Sequence, residues 1–268
     1  MFPSFEIFGR TIGMYGACAI AGFFAVAICA WLLSRKKGVD IEDIILVLLA
    51  IGTGLMIGGH LLYGITHIKP VIQLLSDIGD SGFSATVSGL ATYFGGSVFY
   101  GGFIGGWIAL TIYVRFSKNS NKYLMKDLFA VSIPLFHAFG RVGCFLGGCC
   151  YGIESSFGFT VYDNTMVPDI NGVSRLPIAL IEAVVNLCIF LILLRLYKKC
   201  VLSERLVYMY VLMYAPARFI IEFFRGDAIR GSFAGLTTSQ WISVLLILFV
   251  GISILTGRLK TEDTEISE

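Results

Sequence analysis

Residues 42–65 read EDIILVLLAIGTGLMIGGHLLYGI, and this stretch decides the fold. From Ile44 to Ile65 it contains no Asp, Glu, Lys or Arg. Coiled as a helix, with a rise of ~1.5 Å per residue, it covers the ~30 Å hydrocarbon core of a bilayer. Six further apolar segments of comparable length flank it, at 12–34, 96–116, 127–150, 176–197, 205–224 and 237–257. The expectation is an all-α polytopic membrane protein with seven transmembrane helices in one domain, residues 1–260. Residues 66–95, polar and broken by Pro70 and glycines, are read as an interfacial arm, and 151–175 as a small outer-face insertion. The acidic tail at 261–268 is read as disordered. A single Arg10 precedes the first apolar run, which is too long for a signal-peptide core and lacks a convincing cleavage site, so the first helix is expected to be retained.

Composition agrees with this reading. Of 268 residues, 56% are hydrophobic and only 14% charged, against about 25% charged in soluble domains. The mean hydropathy is +0.82. A net charge of +2 is too small to suggest a nucleic-acid partner. Placement of the charges is more informative than their sum. Thirteen basic residues, beginning with Arg35, Lys36 and Lys37, flank the spans on one side, five flank the other, and Arg141 and Arg218 lie inside spans. Cytoplasmic loops carry the excess of Lys and Arg. The N-terminus is therefore expected outside and the C-terminus in the cytoplasm.

Charge inside a span costs about 2.5–3.5 kcal/mol at the helix centre on insertion scales, so such residues are functional candidates by default. Here Arg141, Glu182, Arg218 and Glu222 all fall within spans, with His60 and His137 beside them. Counted at ~1.5 Å per residue, Arg141, Glu182 and Arg218 each lie roughly 20 Å from the cytoplasmic end. His60, Tyr100 and Glu222 fall a few ångströms higher, and Tyr15 near the outer end of the first span. Residues of several spans thus share one layer in the outer third of the membrane. The carboxylates could simply neutralise the guanidiniums as structural ion pairs. Buried pairs seldom add net stability, however, which favours function as the reason to keep them. Two guanidiniums at headgroup depth offer bidentate geometry for a phosphate diester, and the implied ligand is an anionic phospholipid.

Glycines and cysteines leave alternatives open. The run YGGFIGG sets Gly101 and Gly102 four residues before Gly105 and Gly106, and Gly54 and Gly58 repeat the spacing. Close helix packing explains such spacing; room for a lipid headgroup beside Tyr100 is the other reading. Cys18, Cys29 and Cys188 lie within apolar runs, whereas Cys144, Cys149 and Cys150 cluster. For the cluster, small-residue packing, a disulfide such as Cys144 with Cys149, an acceptor thiol near Arg141, and a metal site with His137 are all open.

At HAFGRVGCFLGGCCYG (137–152), RLPIALIE (175–182) and RFIIEFFRGD (218–227) the sequence resembles bacterial prolipoprotein diacylglyceryl transferases. The resemblance extends in order through GMYG, DIILVLLAIGTGLMIGGHLLY, FYGGFIGG and GLTTSQWISVLLILFVGI. It implies transfer of the diacylglyceryl group from phosphatidylglycerol to the lipobox cysteine thiol of a prolipoprotein, forming a thioether and releasing glycerol phosphate. It also implies a bacterial inner-membrane protein with its active site near the outer leaflet and no cofactor or metal. By motif, Tyr15 matches the first-span tyrosine, Arg141 the arginine of GRxGNF, and Gly152 the glycine closing that stretch. Glu182 matches the glutamate after the family's proline, and Arg218 with Glu222 match RFxxEF.

Three positions depart from the family pattern. Tyr100 stands at the histidine of HGG, Cys144 at the asparagine of GRxGNF, and Cys149 at the glutamate of NGE. A phenol with a pKa near 10 is a poor proton acceptor at neutral pH. The expected catalytic set is Arg141, Arg218, Glu182, Glu222 and Tyr100. The expected substrate-binding set is Tyr15, His60, Gly101, Gly102, His137, Cys144 and Gly152. Rival readings are a divergent paralogue with another acceptor, a non-catalytic phospholipid-binding or transport protein, and, more weakly, a seven-helix receptor.

Overall fold

A computed structural model describes residues 4–35, 37, 39–77, 82–96, 98–117, 122–162, 164, 168–202, 205–227 and 232–256. The acidic tail lies outside these residues. Nine helices are described: α1 (Met14–Arg35), α2 (Ile41–Thr66), α3 (Ile68–Ser76), α4 (Phe83–Tyr93), α5 (Phe99–Phe116), α6 (Lys122–Leu146), α7 (Ile178–Lys198), α8 (Leu206–Glu222) and α9 (Thr238–Leu255). All but α3 and α4 coincide with the seven apolar segments. Five of them, α1, α2, α6, α7 and α9, are long and apolar enough to cross a membrane. Their outward side chains, such as Ile20, Phe24, Met56, Ile57 and Leu245, are more than half exposed. An apolar surface that extensive does not suit water and fits lipid. The protein is all-helical and polytopic.

Six short strands qualify the all-α expectation. They form three two-stranded antiparallel hairpins: β1 (Ser4–Ile7) with β2 (Arg10–Gly13), β3 (Glu154–Thr160) with β4 (Ser174–Arg175), and β5 (Ser232–Phe233) with β6 (Leu236–Thr237). Two turn tightly through consecutive positive-φ residues, Phe8–Gly9 and Ala234–Gly235, the geometry that matches strand twist. Five of the strands are only two to four residues long, below what apolar spacing can reveal, and the seven-residue β3 is exposed at nearly every position, with no buried face to mark it.

The chain divides into two compact units, residues 34–125 and residues 1–33 with 126–268. In the first, α2 and α5 meet along glycine. A Cβ on Gly58 would collide with the backbone of Gly101 and Gly105, and one on Gly54 with Gly105 and Ala109. Small-xxx-small spacing here works as helix packing, with backbones in direct contact. The stretch expected as an interfacial arm contains the short helices α3 and α4, packed where Leu74 fills the space beside Gly89.

In the second unit α6 is the most enclosed of the five long helices. Helix α1 crosses it closely: a Cβ on Gly22 would meet Phe139 at 2.8 Å, and one on Gly143 would meet Cys18 at 3.0 Å. Helices α7, α8 and α9 pack in sequence. Helix α9 begins with a capping box, in which Thr237 Oγ1 accepts from the Gln240 amide and the Gln240 side chain accepts from the Thr237 amide. Past α6 the chain turns through Gly147 and Gly148 and is tied down at Gly152. There Ile153 N donates to Phe224 O, Leu176 N to Ile153 O, and Gly226 N to Tyr151 O.

Candidate functional site

The ionisable residues of α6, α7 and α8 converge on one carboxylate. Glu182, 1% exposed, receives Arg141 Nη2 at 3.1 Å on Oε1 and faces Arg218 Nη1 at 3.5 Å from Oε2. Arg218 Nη2 reaches Glu222 Oε2 at 2.6 Å, one helical turn on, and donates to Ser239 Oγ at 3.1 Å. The three residues placed at one depth by counting along the helices, and Glu222 a few ångströms above them in that count, form a continuous chain, Arg141–Glu182–Arg218–Glu222. Its charges balance, as burial requires.

The two guanidiniums are not equivalent. Arg218 is nearly sealed, at 5% side-chain exposure, while Arg141 keeps 15%. The expectation that both forks lie open to a ligand is therefore modified: Arg218 is largely committed to carboxylates. Among the described residues its Nη1 nevertheless has no hydrogen-bond acceptor, because its approach to Glu182 Oε2 is electrostatic without hydrogen-bond alignment. A buried N–H left without an acceptor is costly, and an arriving anion can satisfy it.

His137, buried one turn before Arg141, accepts from Arg141 Nε at Nε2 over 3.3 Å. A guanidinium can only donate, so Nε2 carries no proton and the imidazole is neutral with its hydrogen on Nδ1. That nitrogen lies 3.5 Å from Tyr210 Oη. His137 thus orients Arg141 within the network. Tyr15, at the start of α1, is half exposed and lies against α6, its Cα 3.2 Å from where a Cβ on Gly143 would stand.

Cys144, Cys149 and Cys150 come together. Their three Sγ atoms all lie within 4.8 Å of one another, and Arg141 Nη1 is 3.7 Å from Cys150 Sγ. The expected span through residue 150 ends instead at Leu146, because Gly147 and Gly148 turn the chain and Cys150 adopts φ 58°. All seven cysteines are free thiols, which removes the Cys144–Cys149 disulfide, and His137 is not part of the thiol cluster.

The remaining expected residues lie outside this network. Gly152 is buried where a Cβ would strike Leu176 O at 2.5 Å and Phe224 O at 3.1 Å, so it knots the backbone and offers no room to a ligand. In the other unit Gly101 abuts Gly58 and Gly102 abuts Leu55, where α2 packs directly against α5. His60 Nδ1 lies 2.9 Å from Phe94 O and 2.8 Å from Gly96 O. Since carbonyls only accept, Nδ1 holds the hydrogen. The side chain of Tyr100 lies outside the described residues.

Three participants escaped sequence reasoning. Tyr214 donates to Glu182 Oε1 at 2.8 Å and stacks on Tyr210 with ring centroids 5.5 Å apart. Its place four residues before Arg218 on one helix was the available signal. Ser239, which caps Arg218, gave none. Arg225 binds Asp227 at 2.8 Å and 2.5 Å within the RGD stretch just past α8. Burial opposes the charge on Arg225, and the Asp227 carboxylate outweighs it, leaving the pKa raised.

A family model described as prolipoprotein diacylglyceryl transferase matches residues 3–256. A protein of Clostridium tetani named phosphatidylglycerol–prolipoprotein diacylglyceryl transferase is 34% identical over 250 residues, covering 91% of this chain and 92% of its own. A second of that name, numbered 2, from Clostridium perfringens is 35% identical over 272 residues, covering 96% of each chain. One from Dehalococcoides mccartyi is 32% identical over 250 residues, covering 91% of this chain and 88% of its own.

Proposed function

The chain belongs to the prolipoprotein diacylglyceryl transferase family, and from that premise we propose how its residues carry the reaction. The protein is a transferase that moves the diacylglyceryl group of phosphatidylglycerol to a prolipoprotein. The acceptor is the lipobox cysteine thiol, the new bond is a thioether, and glycerol phosphate leaves. The observation that carries this reading is the chain Arg141–Glu182–Arg218–Glu222, which holds two charged forks at fixed geometry and leaves Arg218 Nη1 without a hydrogen-bond acceptor among the described residues.

Arg141, the more open fork, takes the phosphate first. Arg218 Nη1 donates as negative charge builds on the leaving phosphate oxygen, the stage at which preorganised cationic donors contribute most. Glu182 and Glu222 keep the guanidiniums apart and aimed, Tyr214 fixes Glu182, and His137 fixes Arg141. Tyr15 guides the lipid at the outer end of α1, and lipid positioning is the role that the family pattern gives Tyr100. The seven segments span the bacterial inner membrane with the N-terminus outside, which sets this cluster near the outer leaflet. Residues 66–95 lie along the interface and 151–175 on the outer face.

A second reading keeps the phospholipid site and changes the acceptor. It is favoured by Tyr100, Cys144 and Cys149, which stand where the family pattern has His, Asn and Glu. One experiment separates the readings. Purified protein receives labelled phosphatidylglycerol with a lipobox peptide: labelled thioether supports the first, and glycerol phosphate released without thioether supports the second. Arg141→Lys and Arg218→Lys should each abolish either product, because an ammonium cannot reproduce the planar fork. Full activity in both variants would refute the phosphate-clamp reading.

A further inference from the structure

The thiol cluster at the end of α6 is assigned no part in the chemistry above, although it touches the same arginine. Three independent features make it a built arrangement. Cys144 lies in the last turn of the helix, and Gly147 and Gly148 reverse the chain so that Cys149 and Cys150 return to it. Cys150 holds a left-handed backbone at φ 58°, a conformation unfavourable for a side chain with a Cβ, and thereby brings its sulfur to the other two. Arg141 reaches Glu182 with Nη2 and Cys150 with Nη1, so one guanidinium joins the thiols to the proposed leaving-group site.

Three sulfurs within 4.8 Å of one another approach the spacing of a metal-thiolate centre. With a Zn–S distance of about 2.3 Å, tetrahedral sulfurs stand about 3.8 Å apart, so a modest inward movement completes the shell. Three protein ligands with a fourth position open is the arrangement of catalytic zinc sites, whereas structural sites are closed by four. Cys144 is buried while Cys149 and Cys150 are half-buried, which leaves one side of the cluster approachable. A small cavity lined by Phe145, Gly148, Tyr151 and Arg175 adjoins Cys149 and Cys150. Three thiolates around a dication carry net charge −1, and Arg141 Nη1, 3.7 Å from Cys150 Sγ, faces that charge.

We propose that Cys144, Cys149 and Cys150 bind a thiophilic d10 cation of the zinc class, whose fourth position takes the acceptor cysteine of the incoming protein as a thiolate. The role in catalysis rests on the transferase reading; the metal site does not. The acceptor S–H proton passes to water as the sulfur enters the coordination shell. A sulfur lone pair then attacks the glyceryl carbon that bears the phosphate. The C–S bond forms, the C–O bond breaks, and its electron pair leaves on glycerol phosphate, gripped by Arg141 and Arg218. A chain with tyrosine at the HGG histidine position thereby gains a way to generate the nucleophile without an imidazole base. The inference departs from the metal-free site that the family resemblance implies.

The test uses the full-length protein in detergent, reduced and then titrated with Zn(II) and, separately, Co(II). One equivalent of zinc should be retained, and cobalt should give sulfur-to-metal charge-transfer absorption with tetrahedral d–d bands. Adding a lipobox peptide, without phospholipid, should strengthen the charge-transfer band as a fourth thiolate enters; a peptide with serine for cysteine should not. Cys144→Ser, Cys149→Ser and Cys150→Ser should each weaken zinc binding by more than the about 10- to 100-fold that loss of an outer-shell partner costs. Cys188→Ser, on the exposed face of α7, should bind as the wild type does. Failure of the reduced wild-type protein to take up either metal overturns the site, whatever the variants do. Metal uptake with a cobalt spectrum indifferent to the peptide thiol overturns the activation step. Normal spectra without thioether formation from phosphatidylglycerol would instead count against the transferase reading and leave the metal site standing.

Discussion

Replacing Glu182 by glutamine tests whether the buried network is a single electrostatic unit. Glu182 faces Arg141 at 3.1 Å and Arg218 at 3.5 Å, and at an effective dielectric constant of 20 each contact contributes about 5 kcal/mol of gross attraction. Desolvation of the three charges cancels much of that. Removing only the shared carboxylate does not return the desolvation, however. Arg218 keeps Glu222, but Arg141 is left with a neutral imidazole and the thiol of Cys150. Breaking a buried pair on one side costs about 3–5 kcal/mol, and Glu182→Gln should destabilise the protein by that amount. The second half of the cycle is Arg141→Met in the Glu182→Gln background. With the orphaned charge also removed, the double variant should be more stable than the sum of the singles by about 1–3 kcal/mol. Reversible unfolding from detergent micelles, followed by fluorescence of Trp31, Trp107 and Trp241, reads both quantities. A Glu182→Gln cost below ~1 kcal/mol, or strict additivity in the cycle, would refute the unit.

Other perturbations separate packing from chemistry. Tyr214→Phe removes the hydrogen bond to Glu182 Oε1, one to a charged group worth about 1.5–3 kcal/mol; kcat/KM should fall roughly 10- to 100-fold, and an unchanged value would strip Tyr214 of its role. Tyr100→Phe should raise KM for phosphatidylglycerol about 2- to 10-fold, the worth of one neutral hydrogen bond, with kcat retained; a kcat loss beyond ~100-fold would make the phenol a proton carrier. Gly58→Ala drives a Cβ into the Gly101 carbonyl and should destabilise by about 1–3 kcal/mol. In the same helix Gly52→Ala meets nothing within 4 Å and should be neutral or stabilising by up to about 1 kcal/mol; equal losses in unfolding experiments would mean that the α2–α5 seam is not backbone-tight.

Much of this was legible in the sequence because the membrane restricts what a chain can do. A run such as 44–65 has no stable alternative to a helix in lipid, and each of the seven apolar segments became one. Depth counting worked for Arg141, Glu182 and Arg218 because helical rise is constant and a buried charge must find its partner at its own level. Features governed by local backbone geometry were not legible. The hairpins at 4–13 and 232–237 depend on two residues apiece adopting positive φ. The end of α6 depends on Gly147 and Gly148, which apolar counting reads as more span. Tyr214 was hidden among the aromatics of α8, since composition cannot tell a packing phenol from one that holds a carboxylate. The glycines at 101 and 102 were ambiguous for a related reason: close helix approach and ligand room require the same missing Cβ, and only the neighbouring backbone decides between them.

The departures from the family pattern fall on one half of the reaction. Alkyl transfer to sulfur needs a group that stabilises the leaving phosphate and a means of turning a thiol into a nucleophile. Arg141, Glu182, Arg218 and Glu222, which answer to the first need, all match the family motifs and are locked together by contacts of 2.6–3.5 Å. Tyr100, Cys144 and Cys149 differ, standing where the family pattern has His, Asn and Glu, of which the imidazole and the carboxylate can accept a proton. Random loss of function would not spare one half and change the other, because an idle site would leave the buried charges without purpose and at continuing cost. Under the two proposals above, the pattern is that of a retained phosphate clamp with a replaced way of activating sulfur, and Arg141, in contact with both Glu182 and Cys150, is the residue that joins the two halves.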